Sequence, residues 1–215
     1  AYSDIEPAPT GEAFAAISSA GVDLIDLASG TVTDEYRIFL NPETIREVAF
    51  LGPDLLVLKE GAGIERWDLA SQVLERRYNL AGQHLVVSPN GKHFALESGG
   101  RAQVVDAESG QVILTARVSG GAQAYAFSPN GRYLAVAEGV FGGLWNTDGV
   151  RARILRGHVD RVDGLAFSRD GSRLVSASGD IWNVESGEVT AKFDSWASLA
   201  AVSPVVSLIA TDDGA

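Results

Sequence analysis

The chain has 215 residues, an ordinary length for one all-β domain or at most two small ones. Hydrophobic residues make up 46% of it, which supports a buried core and argues against wholesale disorder. The net charge of −11 makes nucleic acids and anionic lipid surfaces poor partners, and the absence of cysteine excludes disulfides, thiolate metal sites and a cysteine nucleophile.

The chain opens with two units built from short apolar strands and tight turns. The first contains the turn Pro9-Thr10-Gly11 and predicted strands over 13–18, up to Ile25-Asp26, and over 31–39. The second contains strands over 47–50, 55–58, up to Trp67-Asp68, and over 72–78, with the turn Gly52-Pro53-Asp54 between its first two strands. The same order of strand and turn therefore occurs twice.

The next two units have identical first turns, Ser88-Pro89-Asn90-Gly91 and Ser128-Pro129-Asn130-Gly131. Proline presets φ at the second position of such a turn, Asn tolerates the third, and Gly accepts a positive φ at the end, so the flanking strands should pair antiparallel. The predicted strands are 84–87, 93–96, up to Val105-Asp106, and 111–118, and then 124–127, 133–137, up to Trp145-Asn146, and 150–155.

A fifth unit carries the related turn Ser168-Arg169-Asp170-Gly171. Its predicted strands are 164–167, 173–177, one ending at Trp182-Asn183, and 188–193. A partial sixth unit follows, with strands over 199–202 and 206–210 around Ser203-Pro204.

Four short strands in each unit, with no segment of helical period between them, predict an all-β fold of the β-propeller type with four-stranded antiparallel blades. A β-sandwich is the competing all-β fold, but it does not require the same turn at the same place in every unit. We expect one domain over 1–215, with blades near 1–40, 41–80, 81–118, 119–156 and 157–194 and a partial blade at 195–215. Because an open ring exposes sheet edges, we expect seven blades, or six, in the complete protein.

The fifth unit resembles a repeat of the WD-repeat β-propeller family. The resemblance lies in Gly157-His158, in the segments 165–171 and 174–180, and in Trp182-Asn183. It implies that His158, Ser178, Asp180 and Trp182 form a hydrogen-bonded set that braces the blade, which is a structural role and not a catalytic one.

One spacing in this unit departs from the family. About six residues separate the end of the second strand from the closing Trp in the family, and Glu138 and Trp145 agree with that, but Asp180 and Trp182 are only two positions apart. We therefore expect residues to be missing between Asp180 and Ile181, with their Cα atoms well beyond the 3.8 Å of a trans peptide.

Motifs of catalysis and metal binding are absent from the sequence: there is no Gly-x-Ser-x-Gly, no phosphate-binding loop and no His-x-x-x-His. Glu60, Glu97 and Glu138 end successive second strands and could form a cation-binding ring, although filling a polar turn position is the simpler interpretation. We predict no catalytic residues, no cofactor and no metal.

A basic cluster stands out in this acidic chain: Arg151, Arg153, Arg156 and Arg161, with His158 among them. It could bind carboxylates of an acidic partner through arginine forks. The alternative is edge protection, because charges on an outer strand discourage pairing between sheets, and Arg76, Arg77 and Lys192 have similar outer positions.

The WD resemblance implies a non-enzymatic scaffold that binds a protein or peptide, with neither nucleic acid nor membrane as a partner. A propeller enzyme, or a propeller that binds a small ligand or cation at its channel mouth, is the alternative, since fold alone does not fix function. No apolar run approaches the roughly 18 residues of a membrane helix, and we expect a soluble, bacterial protein that is either cytoplasmic or exported.

Overall fold

The computed structural model describes residues 5–8, 10–32, 44–117, 124–138, 141–148, 151–155, 164–192, 200–202 and 209–211. These residues contain 21 β-strands, and no α-helix occurs among them. The chain divides into two compact units, Ala1–Val87 and Ser88–Ala215.

Two antiparallel sheets and one further strand make up the unit Ala1–Val87. The first sheet has the order β1-β2-β3 and the second the order β4-β5-β6-β7. The strands are β1 (Ile5–Pro7), β2 (Ala13–Ser18), β3 (Gly21–Asp26), β4 (Ile45–Leu51), β5 (Asp54–Lys59), β6 (Gly63–Asp68), β7 (Val73–Tyr78) and β8 (Gln83–Val87).

The unit Ser88–Ala215 continues with the same antiparallel pattern. The paired strands β9 (His93–Glu97), β10 (Arg101–Asp106) and β11 (Val112–Arg117) belong to the third sheet and precede the fourth and fifth sheets, which have four strands each. Those sheets are β12 (Ala124–Phe127), β13 (Tyr133–Glu138), β14 (Phe141–Asn146) and β15 (Arg151–Leu155), then β16 (Leu165–Phe167), β17 (Arg173–Ser176), β18 (Asp180–Asn183) and β19 (Val189–Lys192). A hairpin of β20 (Ala200–Val202) and β21 (Ile209–Thr211) is the last pair.

The order of strands in each sheet separates an inner from an outer edge. First strands of neighbouring sheets contact one another, β4 with β8 in the first unit and β12 with β16 and β16 with β20 in the second. Fourth strands lie at the other end of their sheets, and most side chains of β11 and β19 are exposed. The prediction of an all-β fold with four-stranded antiparallel blades is thus confirmed, while the blade limits and the size of a closed ring remain predictions.

The outer strands share one irregularity. In the four later sheets, the register between the third and the fourth strand shifts by one residue just before the closing position. The shift leaves one residue of the fourth strand without a partner across the ladder: Glu75, Ile113, Ala152 or Thr190. This is a β-bulge, which bends an edge strand and increases its twist. The repeat therefore extends to the hydrogen-bond register, beyond the turns seen in the sequence.

The apolar core follows the alternation of the strands. One cluster in the first unit centres on the fully buried Ala15, Leu55 and Val57, and one in the second unit on Leu174 and Trp182. Trp182 is only 1% exposed and is the largest fully buried side chain among the described residues.

The break expected after Asp180 does not occur. Asp180 and Ile181 are consecutive residues of β18, which pairs with both neighbouring strands. The hairpin is instead short: Arg173 pairs with Asn183, ten positions on, whereas Tyr133 pairs with Asn146, thirteen positions on. Since Leu174 still faces Trp182 as Leu134 faces Trp145, the shortening is confined to the turn at the far end of the hairpin.

Candidate binding cleft

In the third, fourth and fifth sheets, a serine begins the turn between the first two strands, and its hydroxyl holds that turn by hydrogen bonds. In the fourth sheet the Ser128 hydroxyl donates to Oδ1 of Asn130 at 2.7 Å and accepts from the amide of Tyr133 at 2.9 Å. Ser88 and Ser168 make the same pair of bonds in their own turns. The Ser-x-Asn/Asp pattern therefore holds the residue after the turn, where β9, β13 or β17 begins, in a constant position.

The turns between third and fourth strands are held by an acidic or amide side chain. Oδ1 of Asp106 accepts from both the amide and the hydroxyl of Ser109, at 2.7 and 2.6 Å, and Asp26 and Asp68 bind Ser29 and Ser71 in the same way. The serine hydroxyl is the main reason that the pKa of each of these three aspartates is lowered. Because strands alternate in direction, both types of turn lie at the same end of each sheet.

A cleft of about 340 Å³ opens at this end between the fourth and fifth sheets. Tyr133 and Leu144 line it from the fourth sheet. The fifth sheet contributes residues of its two turns, Gly171, Ser172, Asn183, Val184 and Glu185. The cleft thus combines an aromatic ring and two aliphatic side chains with polar groups near its mouth.

One contact and one residue distinguish this place from the corresponding place one sheet earlier. One turn earlier, Nδ2 of Asn90 donates to the carbonyl of Asn130 at 3.1 Å, and a Cβ on Gly131 would lie 2.2 Å from that nitrogen. At Gly171 the contact is looser, because the nearest atom to an added Cβ is Cδ of Pro129 at 3.5 Å. The residue after the turn glycine is also long and basic in the third and fourth sheets, Lys92 and Arg132, but is the short Ser172 in the fifth.

The described charged groups near the mouth include the carboxylates of Asp170 and Glu185 and the guanidinium of Arg132. Asp170 accepts from the hydroxyls of Ser168 and Ser172 and from the amide of Ser172, which lowers its pKa to about 2 and keeps it anionic. Glu185 is exposed at the rim. The guanidinium carbon of Arg132 lies 5.5 Å from the centroid of the Tyr133 ring, a cation–π distance.

His93 begins β9 as Tyr133 begins β13, and it gives a pH-dependent prediction. Burial lowers its pKa from the ordinary value of 6.5, although Asp106 partly opposes this, and Nδ1 is buried without a hydrogen-bond partner. Below about pH 6.5 the unfolded chain binds more protons than the folded chain. The stability that depends on neutral His93 is therefore present above this pH and decreases as the pH falls through it.

We expect the urea midpoint to decrease between pH 7.5 and 5.5, and His93→Gln to make that decrease smaller. His84→Gln, at an exposed histidine, should leave the decrease unchanged; an equal effect of both variants would contradict the assignment.

The structure brings part of the predicted brace together. The Ser178 hydroxyl donates to Oδ2 of Asp180 at 3.3 Å, Ser176 accepts from the amide of Asp180 at 3.0 Å, and Nζ of Lys192 lies 3.4 Å from Oδ1 of Asp180. Asp180 and Trp182 are both buried. His158 lies outside the described residues, so the four-residue set remains a prediction. Asp180 opens the third strand of its sheet, not the end of the second strand where the family pattern had placed it.

The structure describes the backbone of only part of the predicted arginine patch. Arg151 and Arg153 belong to the outer strand β15, but their side chains are not described, and Arg156 and Arg161 lie outside the described residues. Whether these residues bind a partner or protect an edge remains a prediction.

The three glutamates of the predicted ring differ in their surroundings. Glu60 is exposed and forms an ion pair with Arg46, whereas Glu97 is buried within β9; the side chain of Glu138 is not described. Among the described residues, no three His, Asp or Glu side chains come together as a metal site.

Sequence reasoning missed a second set of acidic residues, in the third strands. Asp23, Glu65 and Asp180 are buried, and each lies two positions before a closing residue, Ile25, Trp67 or Trp182. Glu65 accepts from Nε1 of Trp67 at 3.2 Å, Nε of Arg77 at 3.1 Å and Nζ of Lys59 at 3.5 Å. The signal was available as the pattern acid-x-Trp, and it places a carboxylate against a cation of the fourth strand in two sheets.

Comparison with known proteins identifies the repeat. Residues 149–180 match the family model "WD domain, G-beta repeat". The chain therefore contains a WD repeat. It is 32% identical over 140 residues to an uncharacterized WD repeat-containing protein of Synechocystis sp., covering 60% of this chain and 38% of that protein. It is also 30% identical over 109 residues to Periodic tryptophan protein 2 of Saccharomyces cerevisiae, covering 44% of this chain and 12% of that protein.

The WD-repeat match spans β15, β16 and β17 and stops at Asp180, the first residue of the second strand of the shortened hairpin. WD-repeat proteins are in general non-enzymatic scaffolds for protein interactions. The matched part spans less than half the length of either relative. These two comparisons therefore assign no whole-protein activity to this chain. In the described part of the chain, no helix has the length and apolar character needed to span a membrane.

Proposed function

We propose that this WD-repeat chain is a non-enzymatic protein-binding scaffold that docks a partner segment in the cleft between its fourth and fifth sheets. The observation that carries the proposal is the cleft itself, with Tyr133, Leu144 and Val184 as apolar walls and Ser172, Asn183 and Glu185 as polar groups. Binding sites typically combine such apolar walls with a few polar groups that fix orientation.

The volume and position of the cleft favour a peptide over a small metabolite. About 340 Å³ is at the small end of ligand pockets, which measure roughly 300–1,000 Å³, and it accommodates one or two side chains. The cleft also opens beside turns whose backbones are fixed by side-chain hydrogen bonds. A rigid rim of this kind binds a segment with little loss of conformational entropy in the scaffold.

Filling the cleft tests the proposal. Ser172 is exposed, and arginine and lysine occupy the matching place in the two preceding sheets, so Ser172→Arg should fold while obstructing the cleft. Peptides of 12 residues selected from a random phage-displayed library on the wild-type chain should lose binding to Ser172→Arg by about tenfold or more, as loss of a central anchor does. Fluorescence polarisation with the synthetic peptides measures this loss.

The matched control is Ala28→Arg, which adds the same charge on an exposed turn that does not line the cleft. It should leave peptide affinity unchanged. Equal binding of every selected peptide to wild type and Ser172→Arg would overturn the cleft as the docking site.

A further inference from the structure

We propose that the outer strand β11 of the third sheet is a second docking surface, which binds an extended peptide segment carrying a Glu or Asp side chain. The segment pairs with β11 as an additional strand. No residue of β11 lines the cleft between the fourth and fifth sheets, so this surface does not depend on docking there. Three features of the described residues support it: the edge of β11, its few charges, and two arginines at one end.

The first feature is the backbone edge. β11 is at the end of the strand order of its sheet, and β10 pairs with it on one side. From Leu114 to Arg117 this ladder is regular, since the register shift lies before Leu114. Alternate residues of an edge strand direct their N–H and C=O groups away from the neighbouring strand. Four residues therefore form a regular edge to which a further strand can add.

The second feature is the small number of charges on this edge. β7 carries three charged residues and β15 carries two, whereas Arg117, at the last position, is the one charge of β11. β19 also carries one, Lys192, but this residue pairs with Asp180 of its own sheet at 3.4 Å. The neighbouring Val112 and Ile113 of β11 are 40% and 37% exposed. Since charges along an edge discourage further pairing, β11 is less protected than β7 and β15.

The third feature is a pair of like charges. Arg117 lies directly opposite Arg101 of β10, and both side chains are exposed. Within the described ranges, no carboxylate forms an ion pair with either guanidinium. Like charges directly opposite each other destabilise a sheet, because their Cβ atoms are only about 4.5–5.5 Å apart. A carboxylate placed beside both guanidiniums replaces this repulsion by charge-assisted hydrogen bonds.

These features favour an acidic peptide over a second copy of the chain. β11 itself contains no carboxylate, so pairing with the β11 strand of another copy would add arginines and leave Arg101 and Arg117 without an acidic partner. The net charge of −11 also opposes the approach of two copies. An extended acidic segment supplies both the backbone groups for the edge and the carboxylate for the arginines.

A charge placed in the middle of the edge tests the proposal in the full chain. The probes are 12-residue peptides selected on the wild-type chain from a random phage-displayed library, restricted to those that bind wild type and Ser172→Arg equally. Thr115 is exposed, so Thr115→Lys should keep the wild-type urea midpoint while weakening these peptides about tenfold or more in fluorescence polarisation. Thr190→Lys, at an exposed threonine of β19, is the matched control and should bind them as wild type does.

Two further measurements identify strand pairing and the acidic residue. N-methylation of successive backbone amides of the peptide should weaken binding at every second residue. Replacing one Glu or Asp of the peptide by Gln or Asn should weaken binding about tenfold, and Arg117→Gln or Arg101→Gln should weaken the parent peptide but not the replaced one. Lys92→Gln removes an exposed cation at the opposite end of the same sheet and should have no effect.

Several results would overturn the inference. One is a selection that yields no peptide weakened by Thr115→Lys, and another is peptides that keep their affinity when every acidic residue is replaced. N-methylation without a two-residue period contradicts strand pairing. If the wild-type chain self-associates in sedimentation velocity and Thr115→Lys makes it monomeric, a second copy occupies the edge and the acidic peptide is wrong. Docking in the cleft is tested separately by Ser172→Arg and is unaffected by these results.

Discussion

Trp182→Ala should lower the free energy of unfolding by about 3–5 kcal/mol, the usual cost of removing a large aromatic side chain from a packed core. Trp182 is 1% exposed and packs in the cluster that contains Leu144, Leu155 and Leu174, so its removal leaves a cavity between the fourth and fifth sheets. Urea unfolding followed by circular dichroism measures the loss without depending on tryptophan fluorescence.

Two control variants test whether that loss comes from the buried ring of Trp182. Trp182→Phe keeps most of the ring and should lose clearly less stability than Trp182→Ala. Val112→Ala removes apolar atoms from a side chain that is 40% exposed and should change stability by no more than about 0.5 kcal/mol. If Trp182→Ala and the wild-type protein have the same urea midpoint of unfolding, the cluster around Trp182 is not a core of the protein.

Glu65→Leu should destabilise the second sheet by about 2–4 kcal/mol, because breaking a buried charged network leaves its other members without a partner. The Glu65 carboxylate binds Trp67, Arg77 and Lys59, and the Lys59 side chain is itself only 17% exposed. Urea unfolding provides the measurement, and the loss should be smaller in Glu65→Gln, which keeps an acceptor for the indole of Trp67.

The matched control for Glu65 lies on the same sheet. Glu75 is 42% exposed and pairs with Arg66 at 3.1 Å, and exposed ion pairs contribute only about 0–1 kcal/mol. Glu75→Leu should therefore have a small effect. A similar loss in Glu65→Leu and Glu75→Leu would show that burial does not distinguish the two carboxylates.

The sequence was sufficient to predict most strands because each one is bounded by a turn with definite chemistry. The predicted strand 13–18 coincides with β2, and the predictions 133–137 and 150–155 differ from β13 and β15 by one residue at one end. Turn residues act locally, through φ preferences and short-range hydrogen bonds, so their effect can be deduced without tertiary structure.

Features that depend on neighbouring strands were harder to predict. Asp180 was assigned to the end of a second strand from its distance to Trp182, but cross-strand pairing places it in the third. The cleft was not predicted at all, since it arises from Ser172, Tyr133 and Glu185, which are far apart in the sequence and individually ordinary.

The matched sequence repeat begins one strand earlier than the structural sheet, and this offset affects how the chain unfolds. The matched repeat 149–180 begins before β15, the outer strand of the fourth sheet, and continues into the fifth sheet. Deleting one sequence repeat would therefore damage two sheets, whereas removing the residues of one sheet would damage one. We expect neighbouring blades of this unit to lose structure cooperatively, as coupled elements of a linear array in which each interface contributes to the stability of both neighbours.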